Sequence, residues 1–565
     1  MNSMKRKLII SLLFSFCFFI ISFITLKDYC ISWDEPLHFM RGQAYLHYYL
    51  TGLKNYDDLP KVNLQGTNGQ PKNIPEPRRS FYQDDYHNGE FSFKDDIGHP
   101  PLNDQIAALS NLIFFQKLGW LDDINSFHLF NILASSILVF AVSFFMLETF
   151  GIFPALIATL ILITHPLFFS EAHFNIKDPP ETAFITMTIL FFYMSLKKFS
   201  LKWLISSIVF FSLALGTKFN VLFLFFAVIP YLLIIHKPKK IKKIPKRFFI
   251  TLFCAPIIVL LILFISWPYL WADPINNLLS IFKYYKDIGT GSVYQSANFF
   301  FLGFNSYPLQ GIVFTTPPAT LLLTSFGIVA SIIYRKKFEY VSLLWFLMLL
   351  VPILRVTVPG TVIYGGIRQI FEFIPAIALI SGIGAKYLLY LISTQLGGNK
   401  KAISAVIIGV VFIFSVIPIL RLHPNENIYF NFLIGGLKGA KEKNFPAWGN
   451  SFGNAYCQGI SWINKNAEKN AKLALIQGTP ANTPAILIRA DIQYNYSGNS
   501  TKTYFSSNAK MGEYLMELTY GDSSKPNSDI WRYVENYLEP IFEVKADNVS
   551  ILKIWKNDPA HTKRN

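Results

Sequence analysis

The chain has 565 residues, of which 52% are hydrophobic and only 15% are charged, whereas a soluble domain has roughly 25% charged residues. The net charge is +16, but the basic residues cluster in short loops between apolar blocks, which indicates membrane topology rather than a nucleic-acid partner. The apolar blocks are about 17–25 residues long, the length that crosses a hydrocarbon core. The composition therefore argues against a soluble enzyme and predicts a polytopic α-helical membrane protein.

The sequence predicts about eleven membrane-spanning helices. The first, at 8–26, follows three basic residues and lacks a small-residue cleavage site, so we expect a retained helix rather than a signal peptide. The other predicted spans lie at 128–147, 152–170, 181–196, 203–216, 219–236, 248–268, 316–334, 340–356, 369–392 and 402–420.

Basic clusters fix the predicted orientation of these spans. They lie at 5–7, 197–202, 236–247, 335–337 and 400–401, and all fall on one side. The positive-inside rule places that side and the N-terminus in the cytoplasm. We therefore expect a multi-pass protein of the cell (plasma or inner) membrane, with the loops 27–127 and 269–315 and the tail from 421 outside.

Two domains are expected, a transmembrane domain at 1–420 and a small extracytoplasmic domain at 421–565. The tail mixes a helical signal at 461–470 with strand-like runs at 472–477 and 549–555, which predicts an α/β or α+β domain. Cys30 and Cys457 both fall on the predicted outer side, where disulfides are permitted. The sequence does not decide whether they pair.

Three short motifs with ionisable side chains lie in the outer loops. Asp34 and Glu35 directly follow the first span, where adjacent carboxylates are costly if they sink toward lipid. His99 belongs to a Gly-His-Pro-Pro-Leu sequence before the second span, and Asp178 to a Lys-Asp-Pro-Pro sequence after the third. Each motif alone has an ordinary explanation: a helix cap for the acid pair, a rigid turn for His99 and a helix start for Asp178.

Taken together, the three motifs have the layout of the GT-C superfamily of membrane glycosyltransferases. The chain resembles the bacterial branch of the protein O-mannosyltransferase family (glycosyltransferase family 39), whose relatives include the aminoarabinose transferases of lipid A. Further similarity lies in LGTKF at 215–219, GIRQ at 366–369 before FIP at 373–375, His423-Pro424, YFN at 429–431 and GGLKGA at 435–440. The family signature usually continues to Asp-Tyr-Trp-Gly, but this chain has Pro-Ala-Trp-Gly at 446–449 and lacks that acid.

The resemblance implies an enzyme with a GT-C fold that moves a hexosyl or pentosyl group from a polyprenyl-phosphate carrier to an acceptor on the outer face. It points to Asp34 as general base, with Glu35 and Asp178 orienting the acceptor or supporting the site. Partial desolvation is expected to raise the pKa of Asp34 toward the working pH. Lys177 is expected simply to pair with Asp178. Because charge grows on the leaving phosphate, we expect cationic side chains to hold it, and the candidates are Arg41, Lys218 and Arg368, with His99. Their alternative role is snorkelling toward the head groups.

Other classes of protein stay open. A transporter or flippase would place ionisable residues in the middle of spans, at discontinuous helices, whereas the acids here gather at one mouth. A scaffold or receptor would not need acidic motifs in several outer loops. Asp34, Asp178 and His99 could in principle ligate a metal ion, but the resemblance implies no required metal or other cofactor. The expected partners are the lipid bilayer, a polyprenyl-phosphate-linked sugar and a protein, glycolipid or cell-envelope glycan acceptor, with no nucleic acid.

Overall fold

The computed structural model describes residues 3–58, 90–235, 245–291, 295–336, 338, 340–395, 397–476, 485–494, 512–519 and 529–563. Most of the predicted basic loop 236–247 lies outside these residues, as do Lys337 and the last residue of the predicted strand 472–477.

The described part of the chain is mostly helical, and its helices coincide with the apolar blocks of the sequence. In chain order the α-helices are α1 (Ser3–Thr25), α2 (Glu35–Thr51), α3 (Glu90–Lys94), α4 (Leu102–Asn111), α5 (Asp123–Thr149), α6 (Ile152–Ile163), α7 (Pro166–Phe174), α8 (Asp178–Lys198), α9 (Leu201–Leu215), α10 (Phe225–Ile235), α11 (Lys246–Ser266), α12 (Tyr269–Ala272), α13 (Pro274–Gly289), α14 (Tyr307–Thr315), α15 (Pro318–Ile333), α16 (Val341–Arg355), α17 (Phe373–Gln395), α18 (Lys400–Leu422), α19 (Gly436–Glu442), α20 (Ala455–Asn466) and α21 (Asp529–Tyr537).

Within the described residues, five helices are long and apolar enough to cross a membrane, namely α1, α5, α11, α17 and α18. Two bent pairs, α6 with α7 and α14 with α15, bring the number to as many as seven if each pair is one span. Shorter apolar helices lie at Leu201–Leu215, Phe219–Ile235 and Val341–Arg355. The chain is thus a multi-pass membrane protein, as predicted, while the total of eleven spans stays a prediction.

The predicted span 152–170 is broken in the structure. Helix α6 ends at Ile163 and α7 begins at Pro166, and the two axes differ by 59°. His165 has an extended backbone, because the proline ring that follows disfavours the helical conformation. The break gives α7 its own direction, so that it packs against α5, α8 and the 3-10 turn Glu426–Ile428 after the last span.

The first outer loop is built on two helices that pack closely. Helix α2 begins at Glu35, as the acid pair predicts, and α4 continues as a π-helical segment, Leu112–Lys117. A Cβ on Gly42 would lie 2.2 Å from the Asp104 carbonyl oxygen, so only glycine permits this approach of α2 to α4. The close packing holds the beginning of α2 against the beginning of α4.

The tail contains a five-stranded sheet. Its strands are β3 (Lys472–Leu475), β4 (Gln493–Tyr494), β5 (Tyr514–Leu518), β6 (Pro540–Ala546) and β7 (Val549–Lys556), after the short hairpin β1 (Phe300–Phe301) and β2 (Phe304–Asn305). The order is β4-β3-β5-β7-β6, with β3 parallel to both neighbours and the other pairs antiparallel.

The helix predicted at 461–470 overlaps α20, but its ends differ. Helix α20 instead begins at Ala455 and ends at Asn466, because Ala467 adopts an extended backbone. The strands β3 and β7 lie where strand-like runs were predicted, although the division of the chain into domains at 420 and 421 stays a prediction.

Residues 423–457, here called the post-span segment, pack against the beginning of the first outer loop. Cys30 and Cys457 form a disulfide, which settles the pairing that the sequence left open. The Cys30 backbone N–H donates to Asn454 Oδ1 at 2.8 Å, and the Trp33 N–H donates to the Phe452 carbonyl at 3.0 Å. These contacts fix the residues immediately before Asp34.

Candidate active site

A cavity of about 670 Å³ lies between the first outer loop, the beginning of α8, helix α13 and the segment before α17. Six of the seven predicted site residues line it: Asp34, Arg41, His99, Asp178, Lys218 and Arg368. They come from parts of the chain as far apart as Asp34 and Arg368, so the fold brings together residues that the sequence motifs predicted. Their individual chemical roles stay predictions.

Asp34 occupies the N-cap position of α2, but its side chain makes no capping hydrogen bond. Its Oδ2 instead accepts a hydrogen bond from Arg368 Nη2 at 2.7 Å, and the side chain is 49% exposed. Asp34 therefore occupies the helix-cap position that the alternative explanation gave it, but its side chain does not cap the helix.

The expected rise of the Asp34 pKa is wrong. Partial removal of the carboxylate from water raises the pKa of Asp34. The positive charges of Arg368 and Lys177 outweigh that effect and hold the pKa well below its usual range. Asp34 is therefore ionised and paired with Arg368.

Arg368 lies in the 3-10 helix Gly366–Ile370 just before α17. Its guanidinium carbon is 4.1 Å from the centroid of the Phe452 ring, a cation–π contact. Phe452 has a positive φ of 52°, and a Cβ on the next residue, Gly453, would lie 2.8 Å from Trp33 Cδ1. The strained turn of the post-span segment thus presents an aromatic face to Arg368 while it touches the loop before Asp34.

Asp178 is the first residue of α8 and is buried. Its Oδ1 accepts from Lys218 Nζ at 2.8 Å, and its Oδ2 accepts from Asn175 Nδ2 at 2.9 Å. Lys218 Nζ also lies 3.6 Å from Glu181 Oε2, so this lysine is shared by two carboxylates. The expectation that Lys177 pairs with Asp178 is wrong, because Lys218 occupies that position.

Arg41 is also committed to carboxylates. Its Nε donates to Asp104 Oδ2 at 2.7 Å, and its Nη1 donates to Asp96 Oδ1 at 2.8 Å and to the His99 carbonyl at 2.7 Å. Arg41 is buried, so it does not snorkel toward lipid head groups. Arg41 therefore cross-links parts of the first outer loop, and few of its N–H groups are left to bind a ligand.

His99 lines the cavity and its Nδ1 is hydrogen-bonded to the Tyr285 hydroxyl on α13. Burial, reinforced by the positive charge of Lys177, lowers the pKa of His99 well below its usual value. A neutral imidazole suits a hydrogen-bonding group better than a phosphate-binding cation.

Glu35 is the one predicted site residue that does not line the cavity. It is buried, accepts from the Ser32 N–H at 2.7 Å and bonds His128 Nε2 at 3.1 Å. Glu35 therefore closes the turn that carries Asp34 and ties it to α5, a supporting position rather than one that reaches an acceptor.

Several residues of the site were missed by reasoning from the sequence. Asp96 and Asp104 neutralise Arg41, Asn175 joins Asp178 to Glu171, and Phe452 covers Arg368. Only tertiary contacts identify them. Among the described residues, no three His, Cys, Asp or Glu side chains are grouped as a metal site would need. The absence of a metal requirement stays a prediction.

Comparisons with known proteins agree with the sequence motifs. A family model described as Dolichyl-phosphate-mannose-protein mannosyltransferase matches residues 98–267. The crystal structure of ArnT from Cupriavidus metallidurans bound to undecaprenyl phosphate is similar in fold, with 13% identity, 98% of this chain and 99% of that chain covered, and a TM-score of 0.50. Its apo state gives 12% identity, 98% coverage of both chains and a TM-score of 0.45. No sequence among curated proteins matches this chain. The predicted resemblance to the mannosyltransferase family is therefore borne out over residues 98–267, and the predicted fold is similar to that of ArnT.

Proposed function

We propose that this protein is a glycosyltransferase that moves a sugar from a polyprenyl-phosphate-linked donor to an acceptor nucleophile at the outer face of the membrane. The observation that carries the proposal is one cavity that holds a carboxylate, Asp34, beside the cations Lys177 and Arg368. A phosphate leaving group and a nucleophile that must lose a proton need these two kinds of side chain. The similar ArnT structure, which was solved with undecaprenyl phosphate, supports the same class of donor.

In the proposed reaction the acceptor oxygen or nitrogen attacks the anomeric carbon of the donor sugar. The bond from that carbon to the phosphate oxygen breaks, and the phosphate keeps the electron pair. Asp34 takes the acceptor proton, and positive charge that develops on the sugar is of the oxocarbenium type. Because the phosphate competes with Asp34 for Arg368, donor binding would weaken the Arg368–Asp34 ion pair and restore the basicity of the carboxylate.

The outer-face location is supported by the basic clusters of the sequence and by the Cys30–Cys457 disulfide, since disulfides persist in oxidising compartments. A phosphatase reporter fused after Asn565 should be active, because this fusion point follows the tail that is proposed to lie outside. A reporter that is active only in its cytoplasmic form would overturn this orientation.

A flippase is a second candidate, favoured by two bent helix pairs and by the buried carboxylates Glu171 and Glu181 in α7 and α8. A flippase moves a lipid-linked sugar between leaflets without breaking the bond to phosphate. The product of the reaction therefore separates the two candidates.

The decisive experiment incubates membranes that contain the protein with a panel of radiolabelled polyprenyl-phosphate sugars. A glycosyltransferase moves one label onto protein, glycolipid or glycan and releases the free carrier phosphate. An Asp122→Asn variant, at a helix cap outside the cavity, should transfer normally, whereas Asp34→Asn should not. If no label in the panel leaves its carrier while the protein is intact, or if a label only changes leaflet, the proposal fails.

A further inference from the structure

The cavity contains four cationic side chains, Arg41, Lys177, Lys218 and Arg368, and they differ in what balances their charge. Arg41 contacts the carboxylates of Asp96 and Asp104. Those two contacts and the bond to the His99 carbonyl occupy most of the guanidinium. Arg41 therefore acts as an internal brace of the first outer loop.

Lys218 and Arg368 are each paired as well. Lys218 Nζ lies 2.8 Å from Asp178 and 3.6 Å from Glu181, and Arg368 Nη2 lies 2.7 Å from Asp34. Arg368 still has one buried donor, Nε, for which the described residues provide no hydrogen-bond acceptor. That nitrogen is closed off from the cavity, so an anion there must compete with a carboxylate of the chain for Lys218 or Arg368.

Lys177 is different. It lines the cavity between Asp34 and Asp178, but among the described residues no carboxylate oxygen lies within the 4.0 Å of its Nζ that defines an ion pair. Its neighbour in sequence, Asp178, is already occupied by Lys218 and Asn175. Among the residues that the structure describes, Lys177 therefore lines the cavity without a carboxylate partner for its ammonium group.

An unpaired, partly buried cation is costly unless a ligand supplies the opposite charge. A lysine ammonium is a compact point charge that binds phosphate oxygens without needing a planar partner. We propose that Lys177 is the principal contact of the donor phosphate, with Arg368 joining it as its ion pair with Asp34 yields, and that Lys218 and Arg41 shape the cavity without binding the phosphate directly. This inference rests on the proposed function and changes its assignment of the phosphate-binding residues.

The surroundings of Lys177 add a pH dependence. Burial, together with the positive charges of Lys218 and Arg368, lowers the pKa of Lys177 to about 8, although Asp34 and Asp178 oppose that shift. His99 faces the same space and is neutral. A phosphate anion binds the protonated amine, so affinity for the carrier phosphate should fall as the pH rises above about 8. Arginine at position 177 stays charged and should remove most of that dependence.

The test uses the purified full chain and titrates it with undecaprenyl phosphate and, separately, with undecaprenol, which lacks the phosphate. Lys177→Met should weaken binding of undecaprenyl phosphate about 10- to 100-fold, the usual effect of losing a hydrogen bond to a charged group. Binding of undecaprenol should not change. Lys177→Arg should stay within a few-fold of the wild-type affinity, which also shows that the site is intact. Lys283→Met removes an exposed lysine of α13 that does not line the cavity and should bind normally.

The outcomes separate the inference from the function on which it rests. If Lys177→Met binds undecaprenyl phosphate as tightly as the wild type, or if Lys283→Met loses as much affinity, the role of Lys177 is refuted and the proposed function stands. If the wild-type protein does not distinguish undecaprenyl phosphate from undecaprenol, the cavity does not read a phosphate and the proposed function fails with the inference.

Discussion

Substitution of Asp34 by asparagine should remove most sugar transfer and leave the fold intact. The Asp34 carboxylate makes no capping hydrogen bond, its ion-pair partner among the described residues is Arg368, and its side chain is 49% exposed. Because the Asp34 end of this pair is half-exposed, the pair contributes at most about 1 kcal/mol, and asparagine retains an oxygen acceptor for Arg368, so the unfolding free energy should change by less than that. Loss of a general base costs about 10²- to 10⁴-fold in rate, or roughly 3–5 kcal/mol of barrier.

The assay compares wild-type, Asp34→Asn and Asp122→Asn proteins for transfer rate, with the unfolding temperature measured on the same samples. Asp122 accepts the Asn125 N–H at 2.9 Å as a true cap of α5, so its asparagine variant controls for the same chemical change at a helix start. A well-folded Asp34→Asn protein with nearly wild-type transfer would refute the assignment of the base and direct attention to Asp178.

Three further outcomes follow from contacts of the site. Lys218→Met should lower the unfolding temperature clearly, because it leaves two buried carboxylates without their cation, a change that costs about 3–5 kcal/mol; an unchanged unfolding temperature would contradict that pairing. Arg368→Met should move the acid limb of the pH–rate profile to higher pH, because Arg368 lowers the pKa of Asp34 and the ionised base is lost as the pH falls through that pKa. An acid limb that stays in place would contradict the effect of Arg368 on the Asp34 pKa. Cys30→Ser should lower the unfolding free energy by about 2–4 kcal/mol, whereas Cys254→Ser, which removes a free thiol in α11, should not; equal effects of the two would deny a stabilising role to the disulfide.

The sequence predicts well the features that depend on local composition. Apolar blocks produce helices wherever they are long enough, and the outer-loop motifs lie at the predicted helix starts, as α2 and α8 show. The sequence also contains the signal for the break before Pro166, since proline disfavours a helical conformation in the residue before it. Hydropathy averaged over a window of residues does not detect that signal.

The charge pairing of the site could not be predicted in the same way. Asp178 has a lysine beside it in the chain but binds another lysine, Lys218, 40 residues away. Likewise the pKa of Asp34 depends on Arg368, which is 334 residues away in sequence. The guanidinium of Arg368 in turn packs on the ring of Phe452. Such contacts follow from the assembled fold, and neighbouring residues in sequence give no signal for them.

The position of the donor phosphate tests the central claim most directly. A cryo-electron microscopy structure of the full chain with undecaprenyl phosphate should show the phosphate group in the cavity. Its oxygens should lie about 2.7–3.0 Å from Lys177 Nζ and contact Arg368. The Asp34 carboxylate should no longer be paired with Arg368. A phosphate bound outside this cavity, or at the opposite ends of the spanning helices, would contradict the account.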